Sequence, residues 1–366
     1  MSGRPRVLFV SRRVRAPLPG SERRKWDAVR EQLEFRMLAA GRTDGAGTEF
    51  RLFAEPPMLA GPAYYAALPA RIARELRAFR PDVVVAQGAH ETAAALAARK
   101  LAGVDAAVIA DVHGDFRAPT RLYGSPLRSL LNPLADRVAG AALRRADAVR
   151  TISDFTSGLV REQGVEPAHV FPAYVDATTF RDRAIAPLPD RPRALFVGVL
   201  ERYKNVDGLA TAWRLVERRL PEARLLIIGV GRERALVEQL VRDSPTLSWE
   251  ERRSHDGIAD ALDASSVLVL PSRSEGLPRI VIEAFCRGRA VVGARAGGIP
   301  DIVDDDVNGI VVPRDDPAAL ADAVVRVLSD RSLQERLAAG ARAGADKWLQ
   351  TPEEFAARLR ELVARV

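Results

Sequence analysis

Lys204, Glu275 and Glu283 are the residues whose types and surroundings suit ligand chemistry in this 366-residue chain. Val267 to Leu270 is a short apolar, β-branched run, the composition of a parallel strand covered on both faces. Pro271 ends it, residues 272–276 are turn formers, and Pro278 suits the first position of a helix expected from about Arg279 through Glu283. This order places Glu275 in a turn beside the unpaired amides of Gly276 and Leu277, with Glu283 little more than one turn into the helix. In an open α/β sheet the crevice at the carboxyl end of a strand is where ligands bind. A solvated loop acid and a favourable first-turn charge account for the same two glutamates without any ligand. Lys204 follows the strand end Val197-Gly-Val-Leu and precedes a helix expected from about Val206. A lysine placed there, with Gly198 in the turn, suits a phosphate. Gly229 and Gly231 close the apolar run 225–228 and let a backbone approach a flat ring or a phosphate. The third glycine and the following acid of a nicotinamide site are missing, so such a cofactor is not expected.

Residues 272–285, Ser-Arg-Ser-Glu-Gly-Leu-Pro-Arg-Ile-Val-Ile-Glu-Ala-Phe, resemble the E-x7-E signature of family 4 glycosyltransferases, which are retaining enzymes of the GT-B fold. The flanking order is similar as well: Lys204 after Val-Gly-x-Leu, Leu-Leu-Ile-Ile-Gly-x-Gly at 225–231, Gly297-Gly298-Ile-Pro, and Asn308-Gly-Ile-Val-Val-Pro313. The resemblance implies an α/β chain of GT-B type, two Rossmann-like parallel-sheet domains facing a central cleft. An acceptor domain would span 1–183, a nucleotide-sugar donor domain 184–350, and a C-terminal helix at 351–366 would return to the first domain. Lys204 would hold the donor diphosphate, Glu275 the sugar hydroxyls and Glu283 the ribose. Gly198, Gly229, Gly231, Arg273, Gly276, Leu277 and Pro278 would surround the donor, and His113 would face its sugar from the first domain. No metal or other cofactor is implied. The implied reaction moves a hexose from a GDP-mannose or UDP-glucose type donor to a hydroxyl of a glycan, lipid-linked or small-molecule acceptor. A nucleotide-sugar epimerase and a non-catalytic sugar-nucleotide binder are the alternatives. One departure stands out: the family's usual Gly-Arg-Leu is Gly198-Val199-Leu200 here, which leaves either Arg202 or Arg273 to supply the missing charge or a weaker grip on the diphosphate.

The elements needed to position these residues are legible in coarse outline. Arg6-Val-Leu-Phe-Val10 and Arg193-Ala-Leu-Phe-Val197 each open a strand, loop and helix, so the chain begins an α/β unit twice. The first is followed by a basic loop with a single glycine, Gly20, and by Trp26, expected in packing. Strands are expected ahead of His90 and His113. His113, in His-Gly after an apolar strand with Asp111 and Asp115 nearby, is the stronger candidate, whereas His169 and His255 lack supporting neighbours. Residues 116–128, with Arg117, Arg121 and Arg128, read as a loop, and 146–155 as a strand with a helix start at Ser153. Residues 180–193 are polar with three prolines, suiting a linker. Helical spacing returns over 317–337, with a break, and over 352–366.

Composition narrows the classes. A 47% hydrophobic content excludes a disordered chain. No apolar run approaches a bilayer's thickness and the N-terminus lacks a signal-peptide core, so a cytoplasmic protein is expected. Cys286 is the only cysteine, which excludes an intrachain disulfide, and its place in an apolar helix suits packing. The net charge of +7 suits a phosphate-bearing ligand or peripheral contact with an anionic membrane face. With few aromatics and no nucleic-acid motif, nucleic acid is not an expected partner.

Overall fold

Alternation along each central strand decides which layer a side chain joins. In the computed structural model, which describes residues 3–42, 47–54, 60–117 and 132–366, the chain divides into two compact units. Met1–Tyr174 and Gln350–Val366 form the first unit and Val175–Leu349 the second. The first carries seven described strands: β1 (Arg6–Arg13), β2 (Glu34–Ala40), β3 (Phe50–Phe53), β4 (Val83–Gln87), β5 (Ala107–Val112), β6 (Ala148–Thr151) and β7 (His169–Val170). Their order is β3-β2-β1-β4-β5-β6-β7, and every pairing is parallel. Val7 and Phe9 of β1 pack with Trp26, Phe35, Phe50 and, from the C-terminal helix Pro352–Val363, Phe355 and Leu359. Leu8 and Val10 point the other way, onto Tyr64, Leu68, Ile72 and Leu76 of the helix Ala60–Phe79. A period of two thus feeds two cores from one strand. Trp26 is a packing residue, edge-on to Phe9 at 5.2 Å between ring centroids.

The second unit repeats the plan with β8 (Arg193–Val197), β9 (Arg224–Ile228), β10 (Leu247–Glu250), β11 (Val267–Leu270), β12 (Ala290–Ala294) and β13 (Gly309–Val312), in the parallel order β10-β9-β8-β11-β12-β13. Phe196 and Val269 face Trp213 of the helix Val206–Arg219, while Leu195, Leu268 and Leu270 face Val281 and Phe285 of the helix Arg279–Cys286. Cys286 is buried among these, and burial first, then Asp346 and Glu283, push its thiol up to about 11.

The polar stretch after Phe180 is held rather than loose. Two fully buried arginines use it as a set of acceptors: Arg287 donates to the carbonyls of Phe180, Arg183 and Ala184, and Arg289 to those of Ala186 and Pro187. Asp263 takes two bonds from Arg287, both 2.9 Å, so the charge is paired. Because Val175, Ala177 and Phe180 also sit in the second unit's core, that unit begins at Val175, ahead of the 183/184 boundary that the resemblance implies.

Candidate active site

In the second sheet the strand order reverses between β8 and β11, and both lead into the candidate residues. Such a reversal leaves a crevice at the carboxyl ends of the two strands. Lys204 ends the short helical turn Arg202–Lys204 after β8, and Glu275 lies in the turn after β11. Lys204 Nζ lies 2.5 Å from Glu275 Oε1, and Ser272 Oγ donates to the same oxygen at 2.7 Å. Both charged side chains are about nine-tenths buried. Desolvating this pair costs much of what its attraction returns, so it contributes little net stability; separating its members would be expensive. The other oxygen, Oε2, has no partner among the described residues.

Local backbone explains why these two meet. Asn205 adopts a left-handed conformation (φ 57°), caps the following helix through Gly208 N–H, and donates from Nδ2 to Pro271 O at 3.1 Å. Gly198 lies against the lysine stem, and a Cβ there would just touch Lys204 Cε at 3.4 Å. Gly229 and Gly231 serve the backbone: added Cβ atoms would fall 1.9 Å from Gly198 O and 2.3 Å from Leu200 O. Trp249 Nε1 donates to Gly229 O at 2.9 Å and holds that turn from behind. On the other flank Gly298 N–H donates to Glu275 O at 3.0 Å, and Gly297 has φ 56° with its Cα pressed against the same carbonyl.

Beyond Glu275, the N–H groups of Gly276 and Leu277 donate to no described acceptor. The helix starts at Arg279 as expected, but Pro278 is its cap rather than its first residue: its backbone is extended (φ −74°, ψ 101°) and its carbonyl accepts Val281 N–H. Glu283 is partly buried and its carboxyl has no hydrogen-bond partner among the described residues. Burial pushes it up to about 7, against the pull of Arg279. Arg273 is engaged elsewhere: its guanidinium reaches Asp207 at 3.0 and 3.1 Å, Asp315 at 2.7 Å and Arg202 O at 2.9 Å. Arg202 is exposed, and Val199, where the family's arginine would stand, is 43% exposed.

The first unit carries its own polar row at the carboxyl ends of β1, β4 and β5. Ser11 Oγ donates to Gln87 Oε1 (2.6 Å), Gln87 Nε2 meets His113 Nδ1 (3.0 Å), and His113 Nε2 meets Asp111 Oδ2 (2.9 Å). Behind Asp111 lies Arg150, 1% exposed, at 2.7 Å. Burial alone would raise the Asp111 carboxyl, but Arg150 and then His113 outweigh it and hold it at about 2. An ionised Asp111 accepts from Nε2–H, so Nδ1 accepts from Gln87 and both ring nitrogens are engaged within the protein. His90 is half-buried near Tyr65, His169 and His255 contact Phe171 and Phe180, and none of these three joins the row. Arg117 pairs with Asp115 and Glu162, while Arg121 and Arg128 lie outside the described residues. Gln87 and Arg150 escape sequence inspection because no local pattern marks them, and Ser272, though inside the signature stretch, is not marked there as a partner of Glu275. Among the described residues no group of three or more His, Cys, Asp or Glu could hold a metal ion, and no helix is long and apolar enough to cross a membrane.

Both halves of the chain match known proteins. Residues 6–173 match the family model described as glycosyl transferase 4-like domain, and residues 191–330 the model described as glycosyl transferases group 1. An alpha-D-kanosaminyltransferase of Streptomyces kanamyceticus is 30% identical over 240 residues, 61% of each chain. A D-inositol 3-phosphate glycosyltransferase of Xylanimonas cellulosilytica is 34% identical over 215 residues, 52% of this chain and 50% of that one. The chain spans about half to three-fifths of the length of these relatives. Among solved structures, sucrose-phosphate synthase from Thermosynechococcus elongatus superposes with a TM-score of 0.78 at 18% identity, covering 99% of this chain and all of that one. Anabaena HepE in complex with UDP gives 0.73 at 17%, with the same coverage. The fold is GT-B.

Proposed function

The chain belongs to family 4 of the glycosyltransferases, and we propose that it is a retaining enzyme that moves a hexose from a nucleotide-diphosphate sugar to an acceptor hydroxyl. The observation that carries this is the buried Lys204–Glu275 pair at the strand-order reversal, beside a second carboxyl, Glu283, that lacks a protein partner. A pyrophosphate supplies the anion that Lys204 suits, and the free amides of Gly276 and Leu277 suit phosphate or sugar oxygens. Glu275 Oε2 and the Glu283 carboxyl accept from sugar and ribose hydroxyls respectively. Structural neighbours holding UDP and UDP-glucose support a uridine donor, with GDP-mannose as the other candidate.

As the bond from the anomeric carbon to the β-phosphate oxygen breaks, Lys204 offsets the charge gathering on the departing diphosphate. The acceptor oxygen attacks from the same face, its proton passes to the leaving phosphate oxygen, and the anomeric configuration is retained. His113, with its nitrogens engaged, would serve through shape and fixed orientation rather than as a proton carrier. Exposed Arg13, Arg15, Arg23 and Arg24 at and beyond the end of β1 favour a phosphorylated or lipid-linked acceptor, the latter at an anionic membrane face. Incubation with labelled UDP-glucose, GDP-mannose and UDP-N-acetylglucosamine should release nucleoside diphosphate from one of them, with the α-anomer in the product. No release above background from any of the three would contradict the proposal.

A further inference from the structure

We propose that Arg273 is a positioning residue that holds Lys204 and Glu275 in register, and is not a ligand of the donor; this rests on the transferase reading of that pair. Lys204 and Glu275 are 71 residues apart in sequence, so their contact depends on what joins the two turns that carry them. The sheet does not do it. β8 and β11 pair only through Ala194 with Val267 and Leu195 with Leu268, and the ladder stops before the carboxyl ends where the turns begin.

Two side chains bridge the gap, one on each side of Lys204. Asn205 reaches Pro271 O, as described above, and Arg273 does the rest. Its backbone N–H donates to Tyr203 O at 2.6 Å and its Nη1 to Arg202 O at 2.9 Å, so it grips the lysine-bearing turn through two successive carbonyls. The same guanidinium takes Asp207, in the first turn of the helix Val206–Arg219, and Asp315, in the turn after β13. Nε, Nη1 and Nη2 are all in use, and of five N–H groups only one stays unassigned. A diphosphate would have to displace two carboxylates to claim this fork. The planar geometry matters, because a lysine ammonium cannot span Asp207, Asp315 and a carbonyl at once.

The test compares Arg273→Met, Arg273→Lys and the double variant Asp207→Asn/Asp315→Asn with the full-length wild type. The readouts are melting temperature, kcat and KM for the donor that is accepted, and affinity for UDP and GDP alone. If Arg273 positions the pair, Arg273→Met lowers kcat by about 10²-fold, as a misplacement near 1 Å does. Donor KM and nucleotide affinity then change by less than about threefold, and Arg273→Lys does not restore kcat. The double variant, which frees the guanidinium, lowers kcat in the same way; it carries the test alone if Arg273→Met does not fold. Two results overturn the proposal: wild-type kcat in Arg273→Met, or a double variant that keeps kcat and binds UDP or GDP more tightly because the freed arginine reaches phosphate. Glu275→Gln is assayed alongside. Wild-type turnover there refutes the site itself, whereas a dead Glu275→Gln beside a normal Arg273→Met refutes only the positioning role.

Discussion

Replacing Glu283 by Gln should separate stability from ligand binding at a single carboxyl. Burial lifts this group from 4.5 to about 7, against the opposing pull of Arg279. The unfolded chain therefore releases the Glu283 proton near 4.5 while the folded chain keeps it until about 7. Between those values the folded state binds more protons, so stability falls as pH rises through the window and stays low above it. At 1.36 kcal/mol per unit, the penalty above pH 7 is about 3 kcal/mol, a ceiling because the side chain is only partly shielded. Glu283→Gln removes it, so the variant should melt higher than wild type at pH 8 and close to wild type at pH 5. Binding moves the other way. If ribose hydroxyls need the carboxylate, the competent fraction of wild type is roughly one-eleventh at pH 6 and ten-elevenths at pH 8, and nucleotide affinity should rise about tenfold between them. The variant should bind weakly at both pH values, without that rise. Thermal melts at the two pH values and calorimetric titration with UDP and GDP give both results. A melting difference that ignores pH, or a variant that binds nucleotide like wild type, would refute the reasoning.

Gly297→Ala should lose transfer while the first unit stays folded, because φ 56° and a Cβ 1.9 Å from Glu275 O together force the Glu275 turn to move; kinetics and circular dichroism would check it. Arg150→Met should cost about 3–5 kcal/mol in urea denaturation at pH 8, since Asp111 is left buried without its main counter-ion. The pH dependence should also invert. In wild type the Asp111 contribution is present above its unfolded value of 3.8 and is lost as pH falls toward about 2, whereas the variant should regain stability on acidification as the carboxyl takes up a proton.

The central strands, the two-fold start of the α/β plan and the turn after β11 were legible because each depends on local signals, a period of two, a β-branched run, a proline or a glycine. β2 and β3 carry no such signal: Glu34–Ala40 and Phe50–Phe53 mix charge with apolar residues, and their partners across the sheet decide them. Residues 180–193 looked like a free linker because prolines and charges show composition, while the carbonyls that Arg287 and Arg289 grip are common to every sequence. The same limit hid the site's detail. Lys204 and Glu275 could each be picked out, yet nothing local tells that they touch, or that Arg273 spends its donors on Asp207 and Asp315. The sheet order brings β8 beside β11, and the bridges of Asn205 and Arg273 then set the pairing across 71 residues.

The rate of hexose transfer by Lys204→Met at saturating donor tests the central claim most directly. Losing the ammonium that offsets charge on the leaving diphosphate should lower kcat by roughly 10²–10³-fold in a protein that still folds. Wild-type kcat in that variant would mean that the diphosphate leaves without help from Lys204, and the site as built here would be wrong.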